Sequence, residues 1–169
     1  MAEPALKIPT HPLQDKEFLG CFLRSVKDVF EIQAGVSLKD FSPRETKLET
    51  FNEYAIGSVL PLRLGEWVGS IAICFSKDAY LEVYSKLLGE TYTEINEEIQ
   101  DGACELLNMI FGGAKTKLNE MGYKFEMARP FLVSSEQVHD WSTGIKVDFS
   151  LDVGSGEVFF GIQWVYQGK

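Results

Sequence analysis

Histidine and cysteine are scarce in this chain, which has two histidines and three cysteines among 169 residues. His11 and His139 each lack a nearby aspartate, cysteine or second histidine at metal-ligand spacing. Cys21, Cys74 and Cys104 are odd in number and widely spaced, which argues against a disulfide framework or a paired-cysteine metal site. We predict three reduced cysteines that pack as small core residues. Hydrolases built on a nucleophilic triad or on protein-bound zinc are disfavoured.

Long apolar runs and an excess of positive charge are also missing. The longest apolar stretches, such as Val158 to Gly161, fall far short of the roughly 18 residues of a membrane span. The N-terminus lacks the cationic and then apolar pattern of a secretion signal. The 25 acidic residues outnumber the 16 basic ones, for a net charge of -9, which disfavours nucleic acid or an anionic membrane as the main partner. We therefore expect a cytoplasmic protein whose partner has a basic or mixed surface.

The hydrophobic content of 45% is sufficient for one domain with its own core. Residues 1–13, with three prolines, predict an irregular N-terminal arm, and residues 14–169 a single domain. Periodicity and end signals then predict the elements in order. These are a helix over about 14–34 stopped by Gly35, a weaker strand over 44–51, strands over 54–62 and 67–75, a helix from N-cap Ser76 to Gly89, a helix over about 94–121, an extended segment over 123–133, and strands over 144–152 and 157–166.

The last strand is apolar at both parities over Val158 to Val165, which indicates that both of its faces are covered, by helices or by a second subunit.

The long helix has two different faces. At about 100° per residue, its apolar residues share one broad arc. They are Ile95, Ile99, Ala103, Leu106, Leu107, Ile110, Ala114, Leu118 and Met121. Asp101, Glu105, Asn108 and Gly112 fall within roughly 60° on the opposite side. We call these four residues the outer stripe.

Polar residues on an outer helix face are often merely solvated. Two features on or beside the outer stripe favour a function instead. Asparagine is a poor mid-helix residue, and each glycine of the Gly112-Gly113 pair costs roughly 1 kcal/mol relative to alanine. The pattern indicates a surface that something approaches closely.

The motif in this helix resembles that of the CheC/CheX/FliY phosphatase family. Asp101 is followed after three residues by Glu105, after two more by Asn108, and 22 positions later by Pro130. All four marked positions match the family pattern. Because the chain contains one such helix rather than two, it is most similar to the CheX-like members.

The resemblance implies an α+β fold in which an antiparallel sheet is packed with two or three helices, and a homodimer. It also implies an activity, namely hydrolysis of the aspartyl phosphate of a phosphorylated CheY-type response regulator. Glu105 would pair with a lysine of the regulator, and Asn108 would orient the attacking water. Asp101 and Gly112 would contribute to the contact, and Pro130 would be structural. The protein would have no intrinsic cofactor, since the regulator would supply Mg²⁺.

Two other functions remain open from the residues. The same helix could belong to a non-catalytic binding module that captures a regulator or another signalling component. A metallohydrolase or triad enzyme is the third alternative, which the missing histidine and cysteine constellations disfavour.

Overall fold

The structure, a computed structural model, describes residues 16–38, 40–44, 54–126, 129–133, 145–153 and 155–167. Within these ranges the chain forms three α-helices, one π-helical turn and six strands. They are α1 (Lys16–Asp28), the π-turn (Val29–Gln33), β1 (Asp40–Arg44), β2 (Ile56–Leu64), β3 (Trp67–Phe75), α2 (Lys77–Leu88), α3 (Gly102–Glu120), β4 (Phe131–Val133), β5 (Ile145–Asp152) and β6 (Glu157–Tyr166). Among the described helices, none has both the length and the apolar character that crossing a bilayer demands. The predicted α+β class is confirmed.

Local sequence signals set the ends of the first two helices. The Ser76 hydroxyl accepts a hydrogen bond from the Ala79 N–H at 3.3 Å, so Ser76 is the N-cap of α2. Gly89 ends α2 with φ of 70°, a left-handed conformation that glycine adopts without steric cost. Gly35, with φ of 69°, has the same conformation just beyond the π-turn that continues α1. The predicted N-cap and both glycine stops are confirmed.

The six strands form one sheet in the order β1-β5-β6-β3-β2-β4, with every neighbouring pair antiparallel. β2 and β3 form a hairpin whose last pair joins Leu64 to Trp67, with Gly65 in the turn at φ of 60°. β5 and β6 form the second hairpin. Pairing of β3 with β6 joins the two hairpins, so the last strand lies inside the sheet.

The main core lies between one face of the sheet and the helices, where α3 packs on α1, β2 and β3. Along β6, Val158, Phe160, Ile162 and Trp164 belong to this core. Phe159 projects from the opposite face of the sheet, because side chains alternate along a strand. It is only 2% exposed there, in a smaller cluster with Ala72 and Cys74 and against Tyr54, Val59 and Val133. At Phe159 the second face of β6 is thus covered by residues of this chain.

The predicted start of the long helix near Glu94 is wrong, since α3 begins at Gly102. The Asn96 side-chain oxygen accepts a hydrogen bond from the Ile99 N–H at 3.2 Å, and the Asn96 carbonyl accepts from the Gln100 N–H at 3.0 Å. These local bonds close a separate turn ahead of α3, because asparagine competes with the helix for backbone groups.

Two strand boundaries also differ from the prediction. β1 ends at Arg44, the only described residue that it shares with the predicted strand 44–51, whose remaining residues lie outside the described ranges. β2 runs from Ile56 to Leu64 rather than from 54 to 62. The segment 123–133 contributes an isolated bridge from Glu126 to Arg63 and then β4. Residues 1–13, His11 and His139 lie outside the described part of the chain.

The cysteine prediction is confirmed in part. Cys21 is 4% exposed and Cys74 is 1% exposed, as expected of small core residues. Cys104 is only half-buried, because it lies at the border between the core face and the outer stripe of α3. All three are free cysteines.

Candidate active site on the outer face of helix α3

Helix α3 presents its predicted polar face to solvent. Asp101, Glu105, Asn108 and Gly112 are all exposed. The opposite face is fully buried at Ala103, Leu106, Leu107, Ile110, Ala114 and Leu118, each 0% exposed. The outer stripe is therefore a surface that core packing does not require.

Asp101 lies immediately before α3 but continues its turn. Its backbone is helical, with φ of -74° and ψ of -10°, and its carbonyl accepts a hydrogen bond from the Glu105 N–H at 3.3 Å. The Asp101 side chain makes no capping hydrogen bond. Its carboxylate thus stays on the outer stripe, one turn before that of Glu105.

Glu105 and Asn108 are three residues apart, so their side chains are neighbours on the helix surface. Within the described ranges, neither side chain has a hydrogen-bond or ion-pair partner. The charged pairs that the helices do form lie elsewhere, for example between Lys117 and Glu120 at 3.6 Å. A carboxylate and a carboxamide are therefore available side by side to an incoming partner.

The carboxylates at the start of the outer stripe contribute to raised pKa values of two nearby side chains. Burial, and then the charges of Asp101 and Glu105, raise the pKa of the Cys104 thiol. Burial, followed by the charge of Glu105, likewise raises the pKa of Tyr84 above its usual value. Glu94, Glu97 and Glu98 are exposed just ahead of the helix, and of these Glu94 is paired with Lys77 at 2.9 Å. The start of α3 is thus an acidic surface, which favours a cationic group of a partner.

Side chains from α2 fit closely under the start of α3. The Tyr80 hydroxyl donates a hydrogen bond to the Ile99 carbonyl. A Cβ atom at Gly102 would overlap the hydroxyl end of Tyr84, so the tyrosine occupies the place of the missing side chain. Sequence reasoning missed these contacts, and the small residue at the buried first position of the helix was the available signal.

The adjacent glycines of α3 have different surroundings. A Cβ atom on Gly113 would lie 2.5 Å from the Ser25 hydroxyl of α1, so packing within the chain explains this glycine. A Cβ atom on Gly112 would meet nothing within 4 Å. The internal structure gives no reason for glycine at position 112, which lies one turn beyond Asn108.

Pro130 is half-buried and directly precedes the edge strand β4. Among the residues that the structure describes, no group of three or more histidine, cysteine, aspartate or glutamate side chains is arranged to hold a metal ion.

Comparison with known proteins identifies the family of this chain. The family model described as "Chemotaxis phosphatase CheX" matches residues 62–150, just over half of the chain, including all of α3. A search of curated proteins found no match.

Solved structures share the fold over 88–92% of this chain. A CheC-like superfamily protein from Shewanella sp. PV-4 is 28% identical, with a TM-score of 0.76 over 89% of this chain and 99% of the other. The chemotaxis protein CheX from Vibrio vulnificus is 29% identical, with a TM-score of 0.72 over 88% and 99%. At 18% identity, the CheX of a CheX-CheY-BeF3-Mg²⁺ complex from Borrelia burgdorferi has the same fold, with a TM-score of 0.66 over 92% and 99%. From its family match and its fold, this chain belongs to the CheX family of chemotaxis phosphatases.

Proposed function

We propose that this protein hydrolyses the aspartyl phosphate of a CheY-type response regulator, with Glu105 docking the regulator and Asn108 orienting the attacking water. The observation that carries the proposal is the exposed pair Glu105 and Asn108, one turn apart on α3 and without partners in the described chain. Membership of the CheX family supports the reaction class. The reaction takes place in the cytoplasm, where we expect the regulator.

Glu105 provides the charge that binds. Its carboxylate accepts hydrogen bonds from a lysine of the regulator, and such charge-assisted bonds are stronger than neutral ones. Asp101, one turn earlier, adds to the same negative surface at the edge of the contact. The acidic residues before α3 favour approach of this lysine from a distance.

Asn108 provides the group that acts on water. Its carboxamide both donates and accepts hydrogen bonds, so it holds a water in line with the phosphorus without adding negative charge. The water oxygen forms a bond to phosphorus as the bond to the aspartate oxygen breaks, and the products are inorganic phosphate and a free carboxylate. A further acceleration on the order of 100-fold requires about 2.7 kcal/mol, which positioning of one water is able to supply.

The metal in this scheme belongs to the regulator, where it neutralises the phosphoryl oxygens. The Borrelia burgdorferi complex supports this assignment, because it contains CheX together with CheY, Mg²⁺ and BeF3, a chemical analogue of a phosphoryl group. We assign no cofactor to this chain. Gly112 completes the contact surface, since the bare helix backbone at this position admits close approach.

Release of inorganic phosphate from a phosphorylated CheY-type regulator, with and without this protein, tests the proposal. We expect the wild-type protein to accelerate release and the Asn108→Ala variant to lose most of the acceleration while still binding a regulator loaded with BeF3 and Mg²⁺. Tight binding without acceleration by the wild-type protein would instead indicate a non-catalytic binding module. Near-normal turnover by Asn108→Ala would contradict the role of the carboxamide.

A further inference from the structure

Two buried serines from different elements hold helix α3 by its backbone. The Ser58 hydroxyl, on β2, donates to the Ala103 carbonyl at 2.8 Å. The Ser25 hydroxyl, on α1, donates to the Ile110 carbonyl at 2.6 Å. Ser58 is 0% exposed and Ser25 is 6% exposed.

Along the helix, the two hydrogen bonds lie before Glu105 and after Asn108. Ala103 precedes Glu105 by two positions, and Ile110 follows Asn108 by two. Because Ala103 and Ile110 are seven residues apart, they lie on one stripe of the helix, about 10 Å from each other along its axis. At 100° per residue this stripe lies opposite the middle of the Glu105–Asn108 arc. The serines therefore bond α3 on its buried side, at the level of Glu105 and Asn108.

These bonds are not needed to satisfy the carbonyls. Inside an α-helix each carbonyl already accepts from the amide four residues later. A serine in a helix also commonly bonds a carbonyl of its own helix, one turn back, whereas Ser25 reaches across to α3. Glycine at position 113 leaves the space for this approach. The needs of the carbonyls therefore do not explain why hydroxyls, rather than apolar side chains, occupy these two buried positions.

Directionality is what a hydroxyl adds to this interface. The apolar contacts beneath α3 are non-directional and tolerate small rotations and shifts of the helix. A hydrogen bond weakens steeply as its angle departs from linear, so two bonds at separate levels resist both movements. A displacement of about 1 Å at a reacting group costs up to about 100-fold in rate.

We propose that Ser25 and Ser58 are positioning residues for the phosphatase reaction, which fix the rotation and level of α3 so that Asn108 meets the phosphoryl group in the correct orientation. This inference rests on the proposed function. Ser58 acts on the start of the helix near Glu105, and Ser25 acts near Asn108.

The test compares Ser25→Ala and Ser58→Ala with Ser70→Ala as the matched control. Ser70 is also a buried serine, and its hydroxyl accepts a hydrogen bond from the Gln163 side chain at 3.2 Å. Because side chains alternate along β3, Ser70 shares the face of Ala72 and Cys74, on the side of the sheet away from α3. For each variant we would measure the dephosphorylation rate at saturation, KM, affinity for the BeF3-loaded regulator, melting temperature, and hydrogen exchange of the amides at 105–108. All rates would be taken well below the melting transition.

For Ser25→Ala we expect the rate at saturation to fall about tenfold with affinity nearly unchanged. For Ser58→Ala we expect a rise in KM as well, because Glu105 is displaced. Exchange at 105–108 should be faster in both variants than in Ser70→Ala. Normal rates, affinities and exchange in the two variants would overturn the inference. If the wild-type protein released no phosphate, the proposed function would fail, while the exchange comparison would still decide whether the serines fix the helix.

Discussion

At the scale of single residues, substitution of Asn108 best separates the proposed catalytic role from any role in folding. Its side chain is exposed and has no partner in the described chain. Asn108→Ala should therefore leave the melting temperature level or slightly higher, since alanine is the better helix former by about 0.5 kcal/mol. Calorimetry beside the phosphate-release assay checks this. A large loss of stability would place the side chain in a structural role.

Replacement of Asn108 by aspartate distinguishes shape from hydrogen bonding. Asn108→Asp keeps the size of the side chain but loses the donor hydrogens and adds a charge that repels the phosphoryl group. We expect activity no better than that of Asn108→Ala. Recovery of activity in the aspartate variant would show that a hydrogen-bond acceptor alone is sufficient.

Glu105 is expected to act mainly through affinity. Glu105→Ala should weaken regulator binding by roughly 1.5–3 kcal/mol, the range for hydrogen bonds to charged groups. Titration calorimetry with the BeF3-loaded regulator measures this. Unchanged affinity together with lost activity would show that Glu105 acts in the chemical step.

The pKa of the Cys104 thiol depends in part on the charge of the Glu105 carboxylate. Burial, then Asp101 and Glu105, raise the pKa of the thiol, so less thiolate is present at a given pH. Glu105→Gln should lower that pKa and speed alkylation of Cys104 by iodoacetamide near pH 8, measured by mass spectrometry. Glu120→Gln, an exposed change at the far end of α3, is the control and should leave the alkylation rate unchanged.

At the scale of elements, alanine substitutions at three helix glycines distinguish a role in partner contact from a role in packing within the chain. Gly112 in α3 and Gly20 in α1 both have open space where a Cβ atom would lie. Gly112→Ala and Gly20→Ala should each stabilise the protein by about 1 kcal/mol, from helix propensity. We expect only Gly112→Ala to weaken regulator binding and activity.

Gly113→Ala completes this comparison. A Cβ atom there lies 2.5 Å from the Ser25 hydroxyl, so the serine must turn away from the Ile110 carbonyl. The propensity gain should be offset by this loss, and the melting temperature should rise less than in Gly112→Ala. Equal melting temperatures for the two variants would contradict the assignment of different roles to the neighbouring glycines.

Sequence predicts those parts of the elements that depend on near neighbours. The N-cap Ser76, the stop at Gly89 and the two faces of α3 follow from local bonding and helical period, and all are confirmed. The sequence predicts the start of α3 wrongly, because the acidic run after Glu94 fits a first helical turn equally well. The bonds of Asn96 close a separate turn there.

Local sequence patterns do not predict contacts between distant segments. Ser25 and Ser58 stand out only as polar residues in otherwise apolar faces, and their acceptors lie 85 and 45 positions away. The strand order likewise depends on pairing of β3 with β6, which no local signal specifies. The candidate site residues come from the sequence alone because they share one helix. The residues that position this helix do not.

At the scale of the whole molecule, we predict a homodimer. The prediction rests on the resemblance to CheX-like proteins, since the described part of β6 is covered by the helices on one face and, at Phe159, by residues of its own chain on the other. Light scattering over a concentration series should give twice the mass of 19.0 kDa. A monomer throughout the micromolar range would contradict the prediction.

The division of α3 into a buried face and the outer stripe also bears on how such a protein changes over evolutionary time. Under the proposed function, substitutions at Asp101, Glu105, Asn108 or Gly112 alter what the helix recognises, while the core side chains beneath the helix are untouched. Partner choice would then depend on exposed residues that contribute nothing to the core. The proposal therefore implies that a lineage is able to acquire a new regulator, or to lose catalysis and keep binding, through changes on one face of one helix.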